Sequence, residues 1–342
     1  MTQPYVALAL QLACRSVNAL AVGAAREQIL REIARMGAKL AAAKRFLGRD
    51  VRLVTLPEYA FTGFPWGESP AEWRAKAVFA PEGPEYEALA KIAAENEVYL
   101  ATNQYETDAR FPALYFQACT ILTPAGATAL RYRRLISMFA PSPFDVWDAY
   151  LDAYGLAGVF PVADTELGRL GAVASEEILY PELARALVSR GAEVLLHPSS
   201  EVSSPEPTPK AIARRARAVE NLAYVVSANT GGLEGLDIPA NSTDGGSEIL
   251  DWQGRILAKA GPGESINAAA TLDIAALRHW RRRPGMSNLL SRHPIRAWAQ
   301  AYAQAEGAEP NLLGSGEQAP DRDFYHSRQQ RVLAKLDAAN LL

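Results

Sequence analysis

Three polar side chains in this sequence stand where an apolar run stops, and together they could open a carbonyl carbon to attack. Glu58 closes "VRLVTLPEY" (residues 51–59), Arg134 closes "ATALRYRR" (127–134) and Ser175 closes "GRLGAVAS" (168–175). A hydroxyl can attack, a carboxylate can take its proton, and a guanidinium can hold the negative charge that develops on the carbonyl oxygen. Each residue alone has a simpler reading. A carboxylate after a proline caps a turn, and a serine ahead of a helix caps that helix. Their common placement argues for more, since functional groups in open α/β sheets gather at the carboxyl ends of strands.

The segments that must position these groups alternate. "YVALALQL" (5–12) is strand-like, and residues 24–47 carry Ile29, Leu30, Ile33, Met36, Leu40 and Phe46 as a helical stripe. A helix over 84–96 leads to strands at 98–106 and 113–126. After Ser175, "YPELARALVSRGAE" reads as a helix with Pro181 in its first turn. "VLLHPSS", "PKAIARRARAVENLA" and "YVVSANT" then read as strand, helix and strand, and further β pairs follow at 247–260 and 268–274. Three prolines make "SSPEPTPK" (203–210) a loop. Strand–helix alternation over most of the chain predicts α/β layers, buried sheets covered by helices. From about residue 286 the pattern turns irregular and reads as a C-terminal extension (286–342) that packs at an oligomer interface, beside a main domain over 1–285.

The 342 residues, 49% of them hydrophobic, suffice for a substantial core. A net charge of −3 favours neither nucleic acid nor an anionic membrane. The opening residues lack the basic start of a signal peptide, and no apolar run approaches the ~20 residues of a membrane span. Cys14 and Cys119 are too few for a disulfide framework, so the cytoplasm is the expected compartment. Four scattered histidines have no metal-ligand spacing, and neither a metal nor an organic cofactor is expected.

Five ordered segments resemble the nitrilase, or carbon–nitrogen hydrolase, superfamily over roughly residues 5–285. "LVTLPEYAFTGF" is similar to its first motif, with Glu58 at the general-base position. "LRYRR" is similar to the second, with Arg134 where the family has a lysine. "ASEEILYPELAR" is similar to the third, with Ser175 where the family has its cysteine. "RARAVENLAYVVSANTGG" and "DGGSEILDWQGRILA" resemble the helix–strand and hairpin that follow. The resemblance implies a four-layer α-β-β-α sandwich, a homodimer or higher homo-oligomer, and a small-molecule amide or nitrile as the ligand. It implies Glu58, Arg134 and Ser175 as the reacting centre, with Tyr59, Glu176, Tyr180 and His197 on the substrate side. Aromatic residues on two flanking segments, Trp66, Trp73, Phe144, Trp147 and Tyr150, are candidates to line its mouth.

Two of the three positions depart from the family pattern. A serine hydroxyl is harder to ionise than a thiol, whose reference pKa is about 8.5. A guanidinium offers a planar fork where an ammonium offers a point charge. The family's further glutamate after the second motif has no counterpart; the segment there offers only Asp145 and Asp148. Three readings stand open: an amidase-type hydrolase acting through Ser175, an inactive relative that binds a carbonyl or carboxylate ligand, and an active amidase or nitrilase trapped by cysteine-to-serine replacement. Amide hydrolysis is preferred to nitrile hydrolysis, which demands a stronger nucleophile.

Overall fold

The computed structural model describes residues 3–202 and 204–342. In chain order its strands begin with β1 (Tyr5–Ala9), β2 (Cys14–Arg15), β3 (Val51–Thr55), β4 (Tyr99–Thr107), β5 (Tyr115–Leu122), β6 (Thr128–Arg133) and β7 (Ala163–Thr165). They continue with β8 (Gly168–Ala172), β9 (Val194–Ser199), β10 (Tyr224–Asn229), β11 (Leu233–Glu234), β12 (Glu248–Leu250), β13 (Ile256–Lys259) and β14 (Ala269–Leu272). The helices are α1 (Val22–Leu47), α2 (Pro70–Ala77), α3 (Pro84–Glu95), α4 (Trp147–Val159) and α5 (Pro181–Ser189). They end with α6 (Pro209–Asn221), α7 (Ile274–Arg282), α8 (Ile295–Tyr302) and α9 (Arg322–Ala338).

Two six-stranded sheets form the centre, ordered β14-β1-β3-β4-β5-β6 and β13-β12-β10-β9-β8-β7. Each has a parallel middle, β1-β3-β4 in one and β10-β9-β8 in the other, flanked by antiparallel strands. Parallel strands covered on both sides become continuous apolar runs, as "VLLHPS" in β9 illustrates with every residue buried. The two sheets face each other through β1, β3 and β4 against β9 and β10. Tyr5, Ala7, Leu53, Ala101 and Ile121 of one sheet share a core with Leu170, Leu196 and Val226 of the other.

Helices close the outer faces. In α1, Ile29, Ile33, Met36 and Leu40 are buried at spacings of three and four residues, so one stripe packs with Val51, Val54 and Leu89 over the first sheet. In α5, Leu183, Ala184, Leu187 and Val188 do the same for the second sheet, beside Ala213 and Ala218 of α6. The result is the α-β-β-α sandwich of four layers.

Residues 286–342 add α8 and α9, and α9 folds back on its own chain. Tyr325 is buried, Arg328 pairs with Asp145 at 2.5 Å, and the Arg322 guanidinium lies 4.2 Å from the centre of the Phe139 ring. Among the described residues no helix is long and apolar enough to cross a membrane.

Candidate active site

The two sheets meet at the carboxyl ends of their strands. Leu56 N–H donates to Ala101 O beyond β3, and Glu58 N–H reaches across to Ser199 O at the end of β9, 3.2 Å away. The next residue, Tyr59, takes a left-handed conformation (φ 56°) and turns the chain away. Arg134 leaves β6 with its N–H on Gln117 O of β5, at 2.8 Å. Ser175 follows β8, and it too is left-handed, with φ 48°. A non-glycine residue held there costs about 1–3 kcal/mol, a cost that concentrates at functional sites.

Arg134 spreads its donors over four groups. Nη1 donates to Glu58 Oε1 at 3.2 Å and to Gln117 Oε1 at 2.5 Å, Nη2 to Glu176 Oε1 at 2.5 Å, and Nε to Ile136 O at 2.7 Å. Gln117 Nε2 completes the triangle by donating to Glu58 Oε1 at 2.9 Å. A guanidinium carries five N–H groups. Four are used, and one Nη2 proton remains for an incoming acceptor. Burial opposes the Arg134 charge, and the neighbouring Tyr59, Glu58, Glu176 and Glu177 more than offset it, holding the guanidinium protonated.

Ser175 is fixed from behind. His197 is fully buried, with Nε2 2.8 Å from Ser175 O and Nδ1 2.8 Å from Ser227 Oγ. A carbonyl can only accept, so Nε2 carries the proton and Nδ1 accepts from the Ser227 hydroxyl. Burial, together with Arg214, pushes the imidazole well below its usual range and keeps it neutral. Glu177, also fully buried, accepts from the Tyr132 hydroxyl at 2.7 Å, from Leu135 and Ile136 N–H at 2.9 Å, and from Ala174 N–H at 3.0 Å. It thereby bolts the turn after Arg134 to the turn at Ser175. The Ser175 hydroxyl points the other way, 2.9 Å from Lys210 Nζ.

Glu58, Arg134, Ser175, Glu176 and Lys210 line one cavity of about 340 Å³, with Tyr59, Phe64, Phe139 and Val202 among its apolar walls. Of the residues expected on the substrate side, Tyr59 and Glu176 are there. His197 is not; the expectation that it faces substrate is corrected, because one ring nitrogen is spent on Ser175 O and the other on Ser227 Oγ. Tyr180 lies in a neighbouring groove with Phe144 and α9, outside this cavity. The aromatic mouth is also reassigned. Trp73 and Tyr150 are buried in the core, and Phe64 and Phe139 take the place beside Ser175. Asp145 caps its own turn, accepting from Ser142 N–H at 2.9 Å and pairing with Arg328. Neither thiol lines the cavity, and burial pushes both Cys14 and Cys119 up to about 12. Among the described residues no cluster of three or more His, Cys, Asp or Glu could hold a metal ion.

A family model, carbon-nitrogen hydrolase, matches residues 11–282. The chain belongs to the carbon-nitrogen hydrolase family. It is similar to the omega-amidase NIT2-A of Xenopus laevis, 25% identical over 241 residues that cover 69% of this chain and 81% of that one. It is also similar to the deaminated glutathione amidase of Homo sapiens, 29% identical over 164 residues, 47% of this chain and 49% of that one. Among solved structures, a carbon-nitrogen hydrolase from Helicobacter pylori G27 aligns with a TM-score of 0.66 at 21% identity, covering 88% of this chain and 99% of that one. That likeness is one of fold.

Within this carbon-nitrogen hydrolase, sequence reasoning missed Lys210. It belongs to none of the three motif segments and sits where a proline-rich loop runs into a helix. The available signal was local: Thr208 and Pro209 are N-cap and first-turn residues, which places the next side chain at the open end of α6. That this end folds over Ser175, 35 residues earlier, is a tertiary fact.

Proposed function

We propose that this protein hydrolyses the carbon–nitrogen bond of non-peptide small-molecule amides, with Ser175 as nucleophile at the Glu58/Arg134/Ser175 centre. The observation that carries the reading is the left-handed turn that projects the Ser175 hydroxyl into the same cavity as the Glu58–Arg134 pair. In this reading Ser175 stands where other family members have cysteine, and Arg134 where they have lysine. The amide carbon is attacked by Ser175 Oγ, and the π pair moves onto the carbonyl oxygen. The remaining Arg134 Nη2 proton is a charged donor for that oxygen. The hydroxyl proton passes to a base of the centre and on to the nitrogen, collapse expels the protonated amine, and water then cleaves the ester with one of its protons returning to Ser175 Oγ. Phe64, Phe139 and Tyr59 favour an amide with an apolar acyl group. The amidase names of the relatives support the reaction class.

The test is release of ammonia from a panel of small aliphatic and aromatic amides and nitriles, by this protein, Ser175→Ala and Ser175→Cys. Turnover of amides that vanishes in Ser175→Ala is the expected result. Turnover confined to Ser175→Cys would show that the serine disables the centre. Saturable ligand binding without turnover by any form would make the protein a binding module.

A further inference from the structure

We infer that Lys210 is the base that takes the proton from Ser175. The inference rests on the amide-hydrolase reading above and names a catalytic residue that reading does not use. Lys210 Nζ lies 2.9 Å from Ser175 Oγ and 3.3 Å from Ser200 O. Among the described residues it is the hydrogen-bond partner of that hydroxyl. Glu58, by contrast, spends Oε1 on Arg134 and Gln117. The acids around Lys210 are committed elsewhere: Glu58 and Glu176 pair with Arg134, and Glu201 pairs with Arg214. Among the described residues, therefore, nothing pins the amine as one half of a salt bridge.

The amine is also held in place. Lys210 follows Pro209 at the start of α6, whose N-cap Thr208 accepts from Ala211 N–H at 3.1 Å. The Thr208 hydroxyl donates to Glu201, and Glu201 is gripped by the buried Arg214, which also bonds Glu248 at 2.6 Å. A long flexible side chain is thus delivered from an anchored first turn, and the serine it meets has its backbone held by His197 and by a left-handed turn. Serine–lysine pairs are a known solution to activating a hydroxyl without an imidazole.

The steps balance. The neutral Lys210 amine takes the Oγ proton as Oγ bonds to the amide carbon, and the C=O π pair moves to oxygen. The resulting ammonium returns that proton to the amine leaving group as the C–N bond breaks. A water then repeats the sequence: Lys210 takes its proton, hydroxide oxygen bonds to the acyl carbon, and the proton passes to Ser175 Oγ as the ester opens. The ionisable groups lining the cavity with Lys210 are Glu58, Tyr59, Tyr105, Arg134 and Glu176, with His197 behind Ser175 and the Glu201–Arg214 pair joined to α6.

The full chain is treated with a fluorophosphonate, on which Ser175 Oγ displaces fluoride as its proton goes to Lys210; intact-mass spectrometry gives the rate, and amide turnover is followed in parallel. Lys210→Met and Lys210→Arg are compared with the unaltered protein, with circular dichroism to show that each folds. The expected result is a fall of about 10²–10⁴-fold in labelling by both variants, the size of a general-base contribution. Arginine keeps a nitrogen donor on a long side chain but stays protonated and cannot act as a base. Full labelling by Lys210→Arg would overturn the assignment, as would no labelling of the unaltered protein. So would a loss in Lys210→Met confined to KM for anionic amides, which would make the residue a carboxylate anchor. Lys210-dependent labelling without amide turnover would keep the assignment and sink the amide reading alone.

Discussion

Replacing Arg134 by methionine tests whether the polar centre is one coupled unit. The side chains of Arg134 and Glu58 are 6% and 3% exposed, so the pair is removed from water. Arg134→Met leaves the Glu58 carboxylate with Gln117 Nε2, 2.9 Å away, as its remaining side-chain donor. Breaking a buried pair from one side costs about 3–5 kcal/mol. Two further acceptors, Gln117 Oε1 and Ile136 O, lose charged donors at 2.5 and 2.7 Å, which places the cost toward the upper end of that range. Glu58→Gln is milder, about 1.5–3 kcal/mol, because Arg134 keeps Glu176 as a counter-charge. The double variant contains neither member of the buried pair, so its cost should fall short of the sum by about 1–3 kcal/mol. Urea unfolding followed by tryptophan fluorescence and far-UV circular dichroism measures all four proteins, and coincident transitions license the comparison. If the single costs add to within about 0.5 kcal/mol, the two groups are independent and the shared-cavity argument is wrong.

Two further outcomes follow from the surrounding structure. Burial alone would raise the Glu264 carboxyl, but hydrogen bonds from Lys39 and Arg35 pull it down to about 2. The ionised form is therefore favoured by folding: its stabilisation is complete above the unfolded value of about 4.3 and fades as pH falls through the folded one. Melting points of the unaltered protein and Glu264→Gln should differ at pH 7 and converge near pH 2; a constant difference would refute the pairing. Thr208→Ala removes the cap of α6 and should cost about 1 kcal/mol. By loosening the turn that carries Lys210 it should also lower kcat for amides several-fold with little change in KM, and an unchanged kcat would count against that turn's positioning role.

Most of the layers were legible in the sequence because their periodicities are strong. The stripe Ile29, Ile33, Met36, Leu40 and the unbroken run in β9 each have one reading as a buried surface. What escaped has weaker or competing signals. In α2, the loop-like "GESP" conceals a capping box between Ser69 and Glu72. In α9, charged residues interrupt the apolar positions, and a partner surface at residues 137–145 is what makes Tyr325 a buried residue. Tyr180 belongs to the third motif and Trp73 to a segment flanking the first, and packing sends one to a neighbouring groove and the other into the core.

By itself the sequence determined the alternating elements, the family and the strand ends at which Glu58, Arg134 and Ser175 stand, because each of these is encoded within a few consecutive residues. Only the tertiary structure decided that His197 serves the backbone of Ser175 and that Lys210 reaches its hydroxyl. Those contacts join separate strands and a helix end across 22 and 35 residues, and depend on how two sheets and their covering helices stack. Distances of that kind are set by packing, which no local pattern of residues carries.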